Sequence, residues 1–126
     1  MGTPFKLSAS LELPGAPGLP KQLIPIVLSD QYAHKVEVEL VLPASTGTVA
    51  VPFGTIPAAG AKVVCVFYEL DADAPNLELS FNGGNEPLEL SPGGFLVYAS
   101  PVPDAGIATI SIGHTGAGRL WVWLLA

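Results

Sequence analysis

Apolar and polar residues alternate with a period of two along several stretches of this chain, and Gly and Pro break the pattern at short intervals. The first stretch is the clearest. Phe5, Leu7, Ala9, Leu11 and Leu13 fall on one face, and Lys6, Ser8, Ser10 and Glu12 on the other, as a half-buried strand requires. Residues 23–28 read as a second strand, with Pro25 marking an edge or a bulge because proline cannot donate to a ladder. Residues 30–34 read as a turn. Alternation resumes in residues 35–42, with Val36, Val38, Leu40 and Leu42 inward and Lys35, Glu37 and Glu39 facing water. Residues 48–53 make a short strand and 55–60 a loop. Residues 62–70 form a long strand whose middle is apolar on both faces, which predicts a central position in a sheet.

The second half is punctuated more tightly. Asp71, Asp73 and Pro75 turn the chain into a strand carrying Leu77, Leu79 and Phe81. Asn82-Gly83-Gly84-Asn85 is the strongest hairpin signal, because these residues accept the positive φ of tight turns, and residues 86–90 return antiparallel. Ser91-Pro92-Gly93-Gly94 leads into a strand over 95–100, residues 107–112 form the next, and 114–118 turn into the last, 119–126. The sum is nine or ten short strands and no helix. That predicts an all-β fold, an antiparallel β-sandwich of jelly-roll-like architecture, as a single domain over residues 1–126. Residues 14–20, with Pro14, Pro17 and Pro20 around two glycines, cannot be helix or central strand and read as an extended arm or crossing segment.

The final stretch needs a further explanation. Leu120, Val122 and Leu124 point one way while Trp121, Trp123 and Leu125 point the other, so this strand is apolar on both faces. A sandwich strand needs only one apolar face, and the second calls for a cover: another segment of the chain, or a second copy. Trp121, Trp123 and Leu125 are therefore the candidate self-association residues. Phe5, Leu7, Pro14, Pro17, Leu19 and Pro20 are the candidates for an arm that reaches a partner, because an extended segment can add hydrogen bonds to a free sheet edge.

Composition points the same way. The chain is 49% hydrophobic and only 13% charged, against a typical quarter, so charge is too sparse to coat the surface evenly. A net charge of −6 with five scattered basic residues argues against nucleic acid as a partner. No apolar run approaches the ~20 residues of a membrane-spanning helix, so no membrane partner is expected. Residues 1–5 lack the basic start and apolar stretch of a signal peptide. The single Cys65 lies among valines as a small buried residue.

Candidate chemistry is thin. Glu69, Asp71 and Asp73 supply oxygen ligands on a turn, but no bidentate Glu follows at calcium-loop distance, and turn chemistry accounts for them. His34 and His114, both in expected turns, have no second ligand at metal spacing and no marked serine nucleophile. Gly83-Gly84 and Gly93-Gly94 lie between strands without the helix and Lys of a phosphate loop. No catalytic residue, cofactor or metal is expected. Trp121 and Trp123 with Tyr68 and Tyr98 form an alternative, a sugar-stacking platform as in carbohydrate-binding sandwiches.

From residue 48 onward the order of features resembles small virion structural proteins of tailed bacteriophages. The residues that carry it are Val49-Ala50-Val51-Pro52-Phe53-Gly54, the strand over 62–70, Asn82-Gly83-Gly84 with Pro87-Leu88-Glu89-Leu90, Pro92-Gly93-Gly94-Phe95-Leu96-Val97, and Arg119 to Leu125. The resemblance implies a β-sandwich without enzymatic activity, found in the virion. Such proteins assemble, often as homotrimers, on the major capsid protein as decoration or cement, or in the tail, neck or baseplate with other virion proteins.

Overall fold

The computed structural model describes residues 2–15, 17–18, 22–100 and 106–126, with backbone alone for residues 11 and 22–24. Among these residues the fold is all-β, with ten strands: β1 Thr3–Leu13, β2 Gln22–Tyr32, β3 Lys35–Leu42, β4 Gly47–Ala50, β5 Val63–Tyr68, β6 Leu77–Phe81, β7 Leu88–Leu90, β8 Phe95–Ala99, β9 Ile110–His114 and β10 Gly118–Leu125. The chain divides into two compact units, Met1–Ala33 and His34–Ala126.

The first unit is a two-stranded antiparallel ribbon. β1 and β2 pair over eleven residues each, from Thr3 opposite Tyr32 to Leu13 opposite Gln22. The alternation read from the sequence holds: Phe5, Leu7, Ala9 and Leu13 share a face with Ile26 and Leu28, and the Phe5 and Tyr32 rings sit 6.1 Å apart. Its place differs, because β1 joins neither sheet of the sandwich and pairs with β2 instead. Pro25 is tolerated because both strands of a two-stranded ribbon are edges. The ladder also runs through Asp30 and Tyr32, where the sequence suggests a turn, since each finds a register partner on β1. Pro14, Gly15, Pro17 and Gly18 lie between the two strands, with Gly18 at φ +82°; Leu19 and Pro20 lie outside the described residues.

The second unit is a sandwich of two four-stranded antiparallel sheets, ordered β3-β10-β5-β8 and β4-β9-β6-β7. Every connection but β6 to β7 passes from one sheet to the other. That one is the expected hairpin: Asn82 and Gly83 both have positive φ, 52° and 70°, and the Gly84 amide donates to the Phe81 carbonyl at 2.9 Å. The expected central strand is β5, between β10 and β8. β4 stops at Ala50 because Pro52 has no amide to donate; Val51 still donates to the Ile110 carbonyl at 2.9 Å. Residue 107 makes only an isolated bridge with Ala61, so the strand read over 107–112 is shifted to Ile110–His114.

The core lies between the sheets. From one come Leu42, Val64, Val66, Tyr68, Leu120, Val122 and Leu124, and from the other Leu77, Leu79, Leu90, Ile110 and Ile112. β10 holds the first sheet together, with β3 on one side and β5 on the other. Its ladder continues past the strand end, where His34 and Ala126 exchange two backbone hydrogen bonds of 2.9 Å.

Leu124→Ala is expected to cost about 2–5 kcal/mol in denaturant unfolding, the loss that follows when a fully buried leucine leaves a cavity. Gly60 has φ +96°, and an added Cβ would stand 2.6 Å from the Ile107 carbonyl carbon. Gly60→Ala is therefore expected to destabilise by about 1–3 kcal/mol, measured the same way.

Candidate functional site

Strand alternation builds the site from β10 outward. Because Leu120, Val122 and Leu124 are fully buried, the residues between them face the outside of the β3-β10-β5-β8 sheet. Register then fixes their neighbours. Trp121 lies between Glu39 of β3 and Phe67 of β5, and Trp123 between Glu37 and Cys65. One strand further, Phe67 meets Phe95 and Cys65 meets Val97 of β8. The Phe67 and Trp121 rings are tilted at 34° with centroids 5.8 Å apart, within the range of favourable aromatic contact.

This outer face is exposed and apolar. Phe95 is 70% exposed, Val41 68%, Val97 42%, and Phe67 and Trp123 39% each. No charge falls within β5 or β8. The charges gather along β3 and at the Arg119 end of β10, where Lys35 Nζ meets Glu37 Oε1 at 3.3 Å and Arg119 Nε meets Glu39 Oε1 at 3.2 Å and, just past β5, Glu69 Oε2 at 4.0 Å. These pairs are half-exposed and each is worth at most about 1 kcal/mol; their effect here is to give the apolar face one polar border. Cys65, half-buried in the middle of the face, is a neutral thiol whose pKa burial pushes up.

Of the residues singled out in the sequence, Trp121, Trp123 and Leu125 do share this face, with Trp123 the most open. Phe5 and Leu7 stand on the apolar face of the N-terminal ribbon, and Pro14 and Pro17 are exposed between its strands. The aromatic platform is not assembled. Tyr68 is fully buried on the inner side, its hydroxyl donating to the Pro75 carbonyl at 2.7 Å, and Tyr98, opposite Val64, packs against the core. Phe67, Phe95, Val97 and Val41 occupy the outer face instead. Alternation names their parity, but which parity is outward depends on the second sheet.

The remaining candidates are accounted for locally. Asp71 Oδ1 accepts from the Asp73 amide at 3.0 Å and its carbonyl from the Ala74 amide at 3.1 Å, a turn closed on itself. Among the described residues no three His, Cys, Asp or Glu side chains gather as metal ligands. A cleft of about 200 Å³ at one end of the sandwich is lined by Tyr68, Glu69, Asp71 and Arg119, among others, and by neither histidine. His114, expected in a turn, ends β9, with the residue 4% exposed and Nδ1 without a hydrogen-bond partner. It is buried because β9 continues the inward row of Ile110 and Ile112 by one more step. Comparison of the chain with protein-family models, curated proteins and solved structures finds no match.

Tyr68 links this end of the sandwich to pH. Burial, and then the Asp71 carboxylate, raise its pKa above the ordinary tyrosine value of about 10. The unfolded chain therefore gives up this proton first, so stability present at neutral pH is lost as pH rises above about 10. Tyr68→Phe is expected to cost about 1 kcal/mol at pH 7 through the lost hydrogen bond and to shallow the alkaline fall in melting temperature. Equal alkaline slopes in the two proteins would refute this assignment.

Proposed function

We propose that this protein is a non-enzymatic virion structural subunit, a capsid decoration or cement protein that stabilises a shell by bridging neighbouring capsid proteins. The observation that carries this reading is the outer face of the β3-β10-β5-β8 sheet: large apolar side chains, exposed side by side, around half-buried Trp121 and exposed Trp123. Contiguous apolar surface of this kind marks a protein contact, and aromatic residues are what interface centres favour.

Two further features support it. The strand order β3-β10-β5-β8 over β4-β9-β6-β7, with all connections but one crossing between sheets, is what two nested Greek keys produce, and we infer a jelly roll, an architecture shared by viral capsid and lectin domains. The turn and strand motifs from residue 48 onward resemble those of tailed-phage virion proteins, which implies a homo-oligomer, often a trimer, seated on the major capsid protein. The same resemblance allows a tail, neck or baseplate position. Burial at roughly 25 cal/mol per Å² makes a standard interface of ~1,600 Å² tight once association costs are met. An acidic chain gains nothing from nucleic acid, so shell protein is the partner class.

The location is tested by immunogold labelling of purified particles with antibody against this chain. Many copies on each shell are expected; label confined to tails relocates the protein within the virion, and unlabelled particles overturn the reading. The surface is tested by sedimentation equilibrium at micromolar concentration. Wild type is expected to associate, and Phe95→Asp to weaken that association by roughly tenfold or more, since a buried unpaired carboxylate costs several kcal/mol. A monomeric wild type overturns the apolar face as a self-contact.

A further inference from the structure

The β1–β2 ribbon has no core. Among the described residues of Met1–Ala33 none is buried, and Ile26 and Val27 are 55% and 61% exposed. Yet the ribbon is two-faced. Phe5, Leu7, Ala9, Leu13, Ile26 and Leu28 lie on one side, with Asp30 opposite Phe5 near its end, while Lys6, Ser8, Ser10, Glu12, Ser29 and Gln31 lie on the other, together with Pro25 and Val27. An isolated two-stranded ribbon is marginally stable in water and needs its apolar face packed on something. The same chain carries a second uncovered apolar face of comparable breadth, the outer side of the β3-β10-β5-β8 sheet. Each surface is the kind of cover the other lacks.

We propose that the β1–β2 ribbon is an exchanged arm: its Phe5/Leu7/Ile26/Leu28 face packs on the Phe67/Phe95/Val97/Trp123 face of a second copy of this chain. The proposal rests on the assembly reading above and supplies the partner of that face. Three observations favour a second copy as the occupant. The connection is short, since β2 ends at Tyr32 and His34 already pairs with Ala126, which leaves Ala33 alone as the hinge; short hinges favour exchange between copies over return to the same one. The surfaces are uncharged at their centres: Lys35, Glu37 and Glu39 border the sheet face, Lys6 and Glu12 lie on the ribbon's other side, and Asp30, opposite Phe5, is the one charge on the ribbon's apolar face among the described residues and stands near its end, at the rim of the join. The area suffices: a ribbon two strands wide and eleven residues long covers roughly 350 Å². Reciprocal exchange between two copies then removes roughly 1,400 Å² from water, close to a standard interface. Passing each arm to the next copy closes a ring by the same contact.

The test uses two full-length variants. One has a disabled arm, Ile26→Asp with Leu28→Asp. The other has a disabled acceptor face, Phe95→Asp with Val97→Asp, and carries Cys65→Ser so that only the first reports a thiol. Each alone is expected to sediment as a monomer, and their mixture as a heterodimer in which the remaining Cys65 is alkylated roughly tenfold more slowly than before mixing, as a site protected by association must be. A disabled-arm variant that assembles like wild type overturns the exchange and leaves the assembly reading standing. Two folded variants that stay monomeric when mixed overturn the exchange, and a monomeric wild type overturns both ideas. Should the aspartates prevent folding, Ala9→Cys in the otherwise native chain answers the same question. A flexible bismaleimide joining it to Cys65 is expected to give covalent multimers on a denaturing gel, and cross-linked monomers alone overturn the proposal.

Discussion

The pairing of β10 with β3 and β5 at once is the constraint from which the rest of the sandwich follows. A strand hydrogen-bonded on both sides is held flat in the middle of its sheet, and the alternation of its side chains then decides the two surfaces of that sheet together. Leu120, Val122 and Leu124 take the inner side without any exposure, and so commit Trp121, Trp123 and Leu125 to the outer. Sliding β10 by one residue would put tryptophans into the core and leucines outside, which the close packing of the inner row forbids. The apolar outer face is thus a consequence of register. It follows from filling the core with one parity of a strand that is apolar at both.

The two edges of that sheet are treated differently. β3 presents Lys35, Glu37 and Glu39 outward, an arrangement that discourages stray strand pairing by placing charge along the edge. β8 presents Phe95, Val97 and Ala99 in a run without charge or proline. The face therefore runs from a polar border at β3 to an apolar border at β8, a gradient that gives any partner a preferred orientation. The second sheet offers less, with β7 only three residues long and β4 four.

Much of the fold was legible because its signals are local. Period-two alternation located β1, β3 and β6, a run apolar on both faces located β10, and Asn82-Gly83 located the hairpin, since both residues accept positive φ values readily. The double-sided apolar stretch at 63–68 marked a central strand. What remained hidden depends on partners distant in sequence. Phe5 to Leu13 alternates equally well whether it lines a sandwich or pairs only with β2, and alternation cannot say which. His114 reads as a turn residue beside Gly116 and Gly118, but β9 carries one step further into the core. Tyr68 and Tyr98 share an aromatic character with the tryptophans, and only the register of β5, β8 and β10 shows that they face the other way. The tryptophan half of the candidate surface was visible because it lies within one strand; the phenylalanine and valine half was not, because it is assembled across three.

One consequence of the β3–β10 ladder concerns synthesis. The strand at the centre of the larger sheet is also the last of the sandwich to leave the ribosome, and it joins the first, about eighty residues earlier in the chain. Until residue 125 has emerged, β3 and β5 have no common neighbour, so β3 waits unpaired while β5 can already pair with β8 and β9 with β4 and β6. Closure of this sheet is accordingly a late step, and the nascent chain needs either rapid emergence of β10 or chaperone shelter to avoid sticking to its own kind before its architecture exists.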